Sequence, residues 1–327
     1  MNQNDCLYPL QLVPAFQDYL WGGTKLRDVY HKAAPAEWQN VAEAWEVSTH
    51  PHGLSTIANG KFAGQTLQAY LELAGPKVLG KRFTQANLPI LVKIIDAADN
   101  LSIQVHPFDD YARKYENSPG KTEMWYVLDA DEKAFIYYGF KKIISADEFE
   151  RRIKDNTLLS VLRKVKLSKG DVFMIPAGTI HAIGKGLLVL EVQQCCDLTY
   201  RVYDYARRDK DGNLRELHIE KALDVTHLGP APKRKIAPVI PLYADANIQT
   251  LVTFKDFVVK RLIVAEKIKL LSLPDTYQVL FVSQGELQLH YQNCVLPIKT
   301  FQSIFMPANM GEYYLQGQGE VLLITDN

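Results

Sequence analysis

The feature that most constrains this chain is a succession of short β-rich runs separated by turn residues, at positions 89–95, 101–106, 124–128, 134–138, 171–175 and 187–192. Such spacing predicts a barrel or a sandwich rather than a helical or doubly wound fold. Helical patterning is confined to a few segments, notably 66–79 and a run opening at Ser145, where Ser145-Ala-Asp-Glu148 has the spacing of a capping box before Phe149, Ile153 and Leu158. From Gly229 to Pro238 all periodicity is lost, and a second β-rich stretch runs from 251 to 325. A linker is predicted there, giving two domains, 1–228 and 229–327.

The 327 residues, 47% hydrophobic, suffice for one large or two medium domains with a filled core. Lysine and arginine total 37 and aspartate and glutamate total 37, so no overall charge favours nucleic acid or an anionic membrane, and neither is expected as a partner. There is no run of eighteen apolar residues and no basic start followed by an apolar stretch, which predicts a cytoplasmic protein. Cys6, Cys195, Cys196 and Cys294 show no Cys-x-x-Cys spacing and are expected as reduced, small hydrophobic residues.

The two β-rich halves look like weak repeats, because Asp171-Val-Phe-Met-Ile-Pro-Ala-Gly-Thr-Ile-His181 can be laid over Ser303-Ile-Phe-Met-Pro-Ala-Asn-Met-Gly-Glu312 with the prolines matched. Where the first copy has His181 the second has Glu312, so only the first is expected to hold a metal. Alternation along 101–106 puts Ser102, Gln104 and His106 on one face and Leu101, Ile103 and Val105 on the other. In a closed barrel the polar set would line a pocket while the apolar set packs outward against a covering layer. Lys121, Glu123 and Trp125 likewise share a face.

The run Gly170-x5-Pro176-x-Gly178-x2-His181 presents a histidine beyond a tight turn and fits the second cupin motif position for position. Gln104-x-His106 with Glu123 downstream resembles a modified first motif. The expected fold is therefore mainly β, two cupin-type (jelly-roll) β-barrels with a few helices. Two imidazoles, a carboxylate and an amide oxygen, without thiolate, suit a borderline divalent cation, with Zn2+ first and Fe, Mn, Co or Ni as alternatives.

The stretch Leu88-Pro-Ile-Leu-Val-Lys-Ile-Ile-Asp-Ala-Ala-Asp-Asn-Leu-Ser-Ile-Gln-Val-His-Pro107 resembles the signature of type I mannose-6-phosphate isomerases, and the chain is similar to their short bacterial form. Trp21-Gly-Gly-Thr-Lys-Leu26, Ala44-Trp-Glu-Val-Ser48, Gly120-Lys-Thr-Glu-Met-Trp125 and the run from Pro176 through Glu191 to Arg201 extend the likeness over most of 15–205. The resemblance implies one zinc held by Gln104, His106, Glu123 and His181, with Lys121, Glu191 and Arg201 in the active site. It also implies interconversion of mannose 6-phosphate and fructose 6-phosphate. In one departure, Lys121-Thr-Glu123 stands where longer members read Lys-Pro-Glu.

These groups suit proton transfer next to a carbonyl through an enediolate, with Lys121 and Glu191 sharing that transfer. Arg201 suits the phosphate end because its planar fork can grip two oxygens. Lys93 is read as a pocket cation and Ser102 as a neutral phosphate donor. Trp21, Trp45 and Tyr203 are read as core before sugar wall, and His50 and His52 as part of a turn. The competing readings are an Fe(II) dioxygenase on the same fold and a metal-bearing sugar sensor without catalysis. The first leaves Lys121 and Arg201 unexplained, and the second has no need of the Lys121 and Glu191 pair.

Overall fold

A computed structural model describes residues 7–208, 211–232, 240–243 and 246–327. Two compact units are each assembled from separate stretches of chain: Phe16–Ala44 with Lys93–Arg234, and Met1–Ala15 with Trp45–Val92 and Lys235–Asn327. Both are predominantly antiparallel β.

The first of these units contains a five-stranded sheet ordered Tyr200–Tyr203, Ile103–Val105, His181–Ile183, Phe135–Phe140 and Leu162–Lys166. In a second sheet of this unit Val172–Ile175, Glu123–Ala130 and Leu187–Gln194 are neighbours in that order, continued by residues 93–97 and then 43–44. Ile136, Tyr138 and Ile183 from one sheet and Trp125, Val127, Phe173 and Val189 from the other form one buried cluster, so these faces look at each other. Ile103 and Val105 point the opposite way. They pack with Phe149, Ile153, Ala222 and Val225 of the helices Ala146–Lys154 and Ile219–Val225, which supply the covering layer expected from alternation. Leu101 departs from that pattern: it precedes the strand proper and joins the inner cluster.

The other unit is one ten-stranded sheet in which Gln278–Tyr291 and Gly311–Thr325 lie side by side over most of their length. Strands of 14 and 15 residues serve such a sheet because they bend. The ladder shifts register between Val282 and Gln284, and Gly285 adopts φ 94° where a Cβ would meet the Gln318 carbonyl oxygen at 2.3 Å. Its core includes Leu262, Ile268, Leu280, Leu289, Ile304 and Tyr313.

The Ser145 cap is as predicted, with its side chain accepting the Glu148 N–H at 3.1 Å. The helix expected over 66–79 begins at its Thr66 cap but covers only Leu67–Ala74, because Gly75 turns to φ 82° and Pro76 cannot continue the ladder. A helix at Asp109–Glu116 was not expected. It buries only Ala112 and so carries no apolar stripe, but Asp109 and Asp110 at its start and Arg113 and Lys114 at its end complement its dipole. The predicted linker begins with packed residues: Pro230 bridges to Gly139 and Ala231 is buried. Its residues 233–238 lie outside the described residues, as does Cys6. Cys195, Cys196 and Cys294 form no disulfide with one another among the described residues. Among the described residues no helix is long and apolar enough to cross a membrane.

Candidate functional site

Register brings the site together. His181 lies directly opposite Gln104, and Gln104 directly opposite Arg201, so these three side chains form a row on the inner face of the five-stranded sheet. On the facing sheet Glu191 is opposite Trp125 and Gln193 opposite Glu123, which turns Glu123, Trp125 and Glu191 to the same side. The predicted polar face of 101–106 and the predicted face of 121–125 therefore meet in the interior.

At the meeting point His106 Nε2 lies 3.4 Å from Glu123 Oε2 and His181 Nε2 lies 3.3 Å from Glu123 Oε1, with all three side chains buried. The ring hydrogens are fixed by carbonyls, which can only accept. His106 Nδ1 donates to Leu198 O and His181 Nδ1 to Thr179 O, each at 2.8 Å, leaving both Nε2 lone pairs directed at the carboxylate. Burial, together with the nearby Lys121 charge, pushes His106 well below the ordinary histidine range and His181 down to about 4, so both rings are neutral. The Gln104 amide is 3.4 Å from His181 Nε2, and Glu123 Oε1 is buried without a hydrogen-bond donor.

The Lys121 ammonium meets Glu123 Oε2 and His106 Nε2, but the His181 Nε2 lone pair faces Glu123 Oε1 at 3.3 Å, an approach that is repulsive unless a further cation sits there, and the three ligand atoms all lie within 4.8 Å of one another. The surrounding charges agree. Lys93 and Lys121 face Glu43, Glu123 and Glu191, all buried, so cations are outnumbered by carboxylates. The residues present, His106, Glu123 and His181, fit a divalent metal ion, and the Gln104 amide stands beside them with its nitrogen toward His181.

Lys121 Nζ donates to Glu123 Oε2 at 2.6 Å and to His106 Nε2 at 3.1 Å, and stands 3.6 Å from Glu191 Oε1. Lys93 Nζ lies between Glu191 (3.1 Å) and Glu43 (3.4 Å). Burial alone would lower the Lys93 pKa, but Glu191 and Glu43 outweigh it and raise it. Burial and the charge of Glu191 push Glu123 upward. For Glu191 itself burial is outweighed by Lys93, Lys121 and the Trp125 indole, which donates at 2.7 Å, and the carboxyl is held below the usual range.

Residues 9–136 match the family model "Phosphomannose isomerase type I, catalytic domain", and residues 247–325 match "Mannose-6-phosphate isomerase, cupin domain". The chain is 38% identical over 318 residues to "Probable mannose-6-phosphate isomerase GmuF" of Bacillus subtilis, covering 97% of this chain and 98% of that protein. It is 36% identical to "Mannose-6-phosphate isomerase ManA" of the same organism, over 96% and 98% of the two chains. It superposes on the crystal structure of the Bacillus subtilis mannose 6-phosphate isomerase with TM-score 0.90 at 33% identity, covering 98% of this chain and 99% of that one. The chain belongs to the type I mannose-6-phosphate isomerase family.

Within this family member, Gln104, His106, Glu123, His181, Lys121, Glu191 and Lys93 form one contiguous cluster, and Arg201 extends the row beyond Gln104. The Ser102 hydroxyl is turned to the Gln104 amide oxygen at 3.4 Å. Trp21 sits in the inner apolar cluster, Trp45 is 2% exposed, and Tyr203 packs beside the outer cluster, all as core residues. His50 and His52 lie in a turn closed by Gly53 N–H donating to His50 O.

Sequence reasoning missed four buried or half-buried groups. Glu43, the second carboxylate on Lys93, is 50 residues from it in the chain. Asp204, Arg207 and Arg215 form an ion-pair knot beside Arg201. A buried glutamate between Ala42 and Ala44 was the one available signal for the first. The arginines sit in segments without periodicity.

Proposed function

We propose that the chain interconverts mannose 6-phosphate and fructose 6-phosphate, using a zinc ion held by Gln104, His106, Glu123 and His181. The observation that carries this reading is the convergence of two neutral Nε2 lone pairs and Glu123 beside a lysine that touches the same groups. The metal supplies Lewis acidity near the sugar oxygens, stabilising developing negative charge by several kcal/mol.

The chain's own residues do the rest. Glu191, held ionised between two ammonium groups, and Lys121, held within 3.6 Å of it, act together in moving the proton between C2 and C1 of the open-chain sugar. Lys93 and Glu43 keep Glu191 in place: because two carboxylates already meet its charge, Lys93 offers less to a phosphate than Arg201 does. Arg201 grips the anionic end of the substrate, with Ser102 as a neutral donor. Dry surroundings strengthen each of these contacts. The sugar phosphate is the only partner this reading requires, in the cytoplasm, and catalysis belongs to 1–228, leaving 229–327 as a cupin-like domain without metal.

A coupled assay on mannose 6-phosphate, run before and after chelation and again after restoring zinc, tests the reading. Turnover that survives complete metal removal, or an absence of turnover in the zinc-loaded protein, overturns it.

A further inference from the structure

We propose that Gln193 is a positioning residue for the metal ligand His106, acting through the turn Gln194–Leu198 that follows it. The role rests on the metal site proposed above.

His106 is oriented by the bond from its Nδ1–H to Leu198 O at 2.8 Å. Leu198 lies between the strands ending at Gln194 and beginning at Tyr200, so no sheet ladder places that carbonyl. Side chains place it. Gln193 Nε2 donates to Gln194 O at 3.0 Å and to Cys196 O, while the Cys196 N–H donates to Gln194 O at 2.7 Å. The Cys196 sulfur in turn accepts the Leu198 N–H and the Ser118 hydroxyl, each at 3.4 Å. The links from Gln193 to the His106 ring are therefore contiguous, and they begin in a fully buried amide.

Gln193 also sits where charge matters. It is directly opposite Glu123 in the ladder and two residues beyond Glu191, on the same inner face. Its Oε1 is buried with no hydrogen-bond partner among the described residues. Were closing the turn the whole task, that orphaned acceptor would be pure cost, and a lysine could donate to the carbonyls while pairing with Glu123. A cation there would, however, neutralise the carboxylate that a metal ion needs. A carboxylate there would repel Glu123 and Glu191 and could not donate when ionised. An amide donates twice and adds no charge. The adjacent Gln194 turns the other way, its Oε1 accepting the Thr122 N–H at 2.8 Å and its Nε2 donating to Asp109 Oδ1 at 3.1 Å. Two consecutive glutamines thus hold the supports of two ligands, Gln194 the segment leading into Glu123 and Gln193 the turn that orients His106.

Gln193→Met keeps the length and the burial but cannot donate. In the full chain its zinc affinity, measured by competition with a chromophoric chelator, should fall about tenfold, the lower end of what ligand-supporting residues are worth. The Co2+-loaded protein should show a shifted visible spectrum. In the metal-free protein the His106 Nδ1 proton, followed by NMR, should exchange with solvent faster than in the wild type. Gln193→Lys keeps a donor but brings charge to Glu123, so it should retain the slow proton and lose zinc more severely. Cys196→Ala should repeat the Gln193→Met effects and Cys196→Ser restore part of them, and this pair serves where Gln193→Met does not fold. Parental zinc affinity in folded Gln193→Met overturns the role, as does weaker affinity with unchanged exchange of the His106 proton, since the loss then has another route. If the wild type takes up no zinc while Gln193→Met still frees the His106 proton, the tether stands and the proposed metal site fails.

Discussion

The turn after Pro176 and the turn after Pro307 are two versions of one design. In each a short strand, Val172–Ile175 or Ser303–Met306, runs into proline, and the second residue after it takes a left-handed conformation, Gly178 at φ 83° and Asn309 at φ 65°. That residue's N–H donates to a backbone carbonyl, His106 O at 2.8 Å in one and Leu273 O at 3.0 Å in the other. The fifth residue after the proline is His181 in the first copy and Glu312 in the second. His181 is fully buried, its Nδ1 tethered and its Nε2 facing Glu123, whereas the Glu312 side chain is 55% exposed and paired with Lys269 at 2.5 Å. Around the second turn Ile304, Met306, Met310, Tyr313 and Leu315 fill the interior. The backbone therefore does not make the site. A candidate metal site needs this turn together with a neighbouring segment presenting a carboxylate, and among the described residues the first copy has one, with His106, Glu123 and His181, while none is found within 251–325.

The largest effect that this contrast predicts is at His181. His181→Ala should remove the metal and lower turnover by on the order of 10²-fold or more, since a ligand is lost outright where even a supporting residue is worth 10–100-fold. Metal analysis after dialysis checks it; stoichiometric zinc with full turnover would show that both turns are structural. Lys121→Ala should come next, cutting kcat by about 10²-fold with KM within a few-fold. Exchange of the substrate C2 proton in heavy water is the direct readout. Parental exchange in Lys121→Ala would leave proton transfer to Glu191 without it.

The residues behind these two effects were legible because ligands, proline and glycine fall at fixed spacing on strands whose alternation sets their direction. What supports them was not. Glu43 meets Lys93 through a contact between residues 50 apart, and the Asp204 knot joins side chains from stretches that carry no periodicity. Thr122 is a third case. It marks a departure from the Lys-Pro-Glu of longer relatives, and no spacing argument says what the threonine does. In the fold its N–H donates to Gln194 Oε1 at 2.8 Å and its hydroxyl oxygen accepts the Ala177 N–H at 3.1 Å, two bonds that proline could not make. It thus joins the segment that carries Lys121 and leads into the strand of Glu123 to the turn of His181.

The matching N–H in the second turn, that of Ala308, donates to a backbone carbonyl, Val78 O, at 2.7 Å. At this position the first turn is held by a side chain and the second by backbone, where the side-chain tether is instead the Ser272 hydroxyl, donating to Pro307 O at 2.7 Å and accepting the Met310 N–H at 3.3 Å. Thr122→Val keeps the shape and the N–H but removes the acceptor. It should cost about 1 kcal/mol of stability and lower kcat a few-fold, as the ligand turn loses one tether. Denaturant melts beside steady-state kinetics measure both. A kcat loss without any stability change would point to direct contact between Thr122 and substrate, and no change in either would mean that the turn holds itself.

The smallest expected effect is the most severe test of the comparison. Glu312→His restores the histidine that the second copy lacks, at the same offset from the same proline turn. If the turn alone made the site, the substituted protein would bind a second metal. The fold argues otherwise: Glu312 pairs in the ladder with Leu271, its side chain faces outward beside Lys269, and among the described residues no trio of histidine, cysteine or acidic groups suited to a metal lies within 251–325. One imidazole on an exposed strand face lacks the two further ligands that a bound ion requires. The variant should keep one metal per chain and parental turnover, with stability within about 0.5 kcal/mol, since only a solvent-screened ion pair is lost. Metal content measured at one and at several equivalents of zinc checks this, and a second tightly held ion that disappears again in Glu312→Ala would show that the turn carries more of the site than its partner strand.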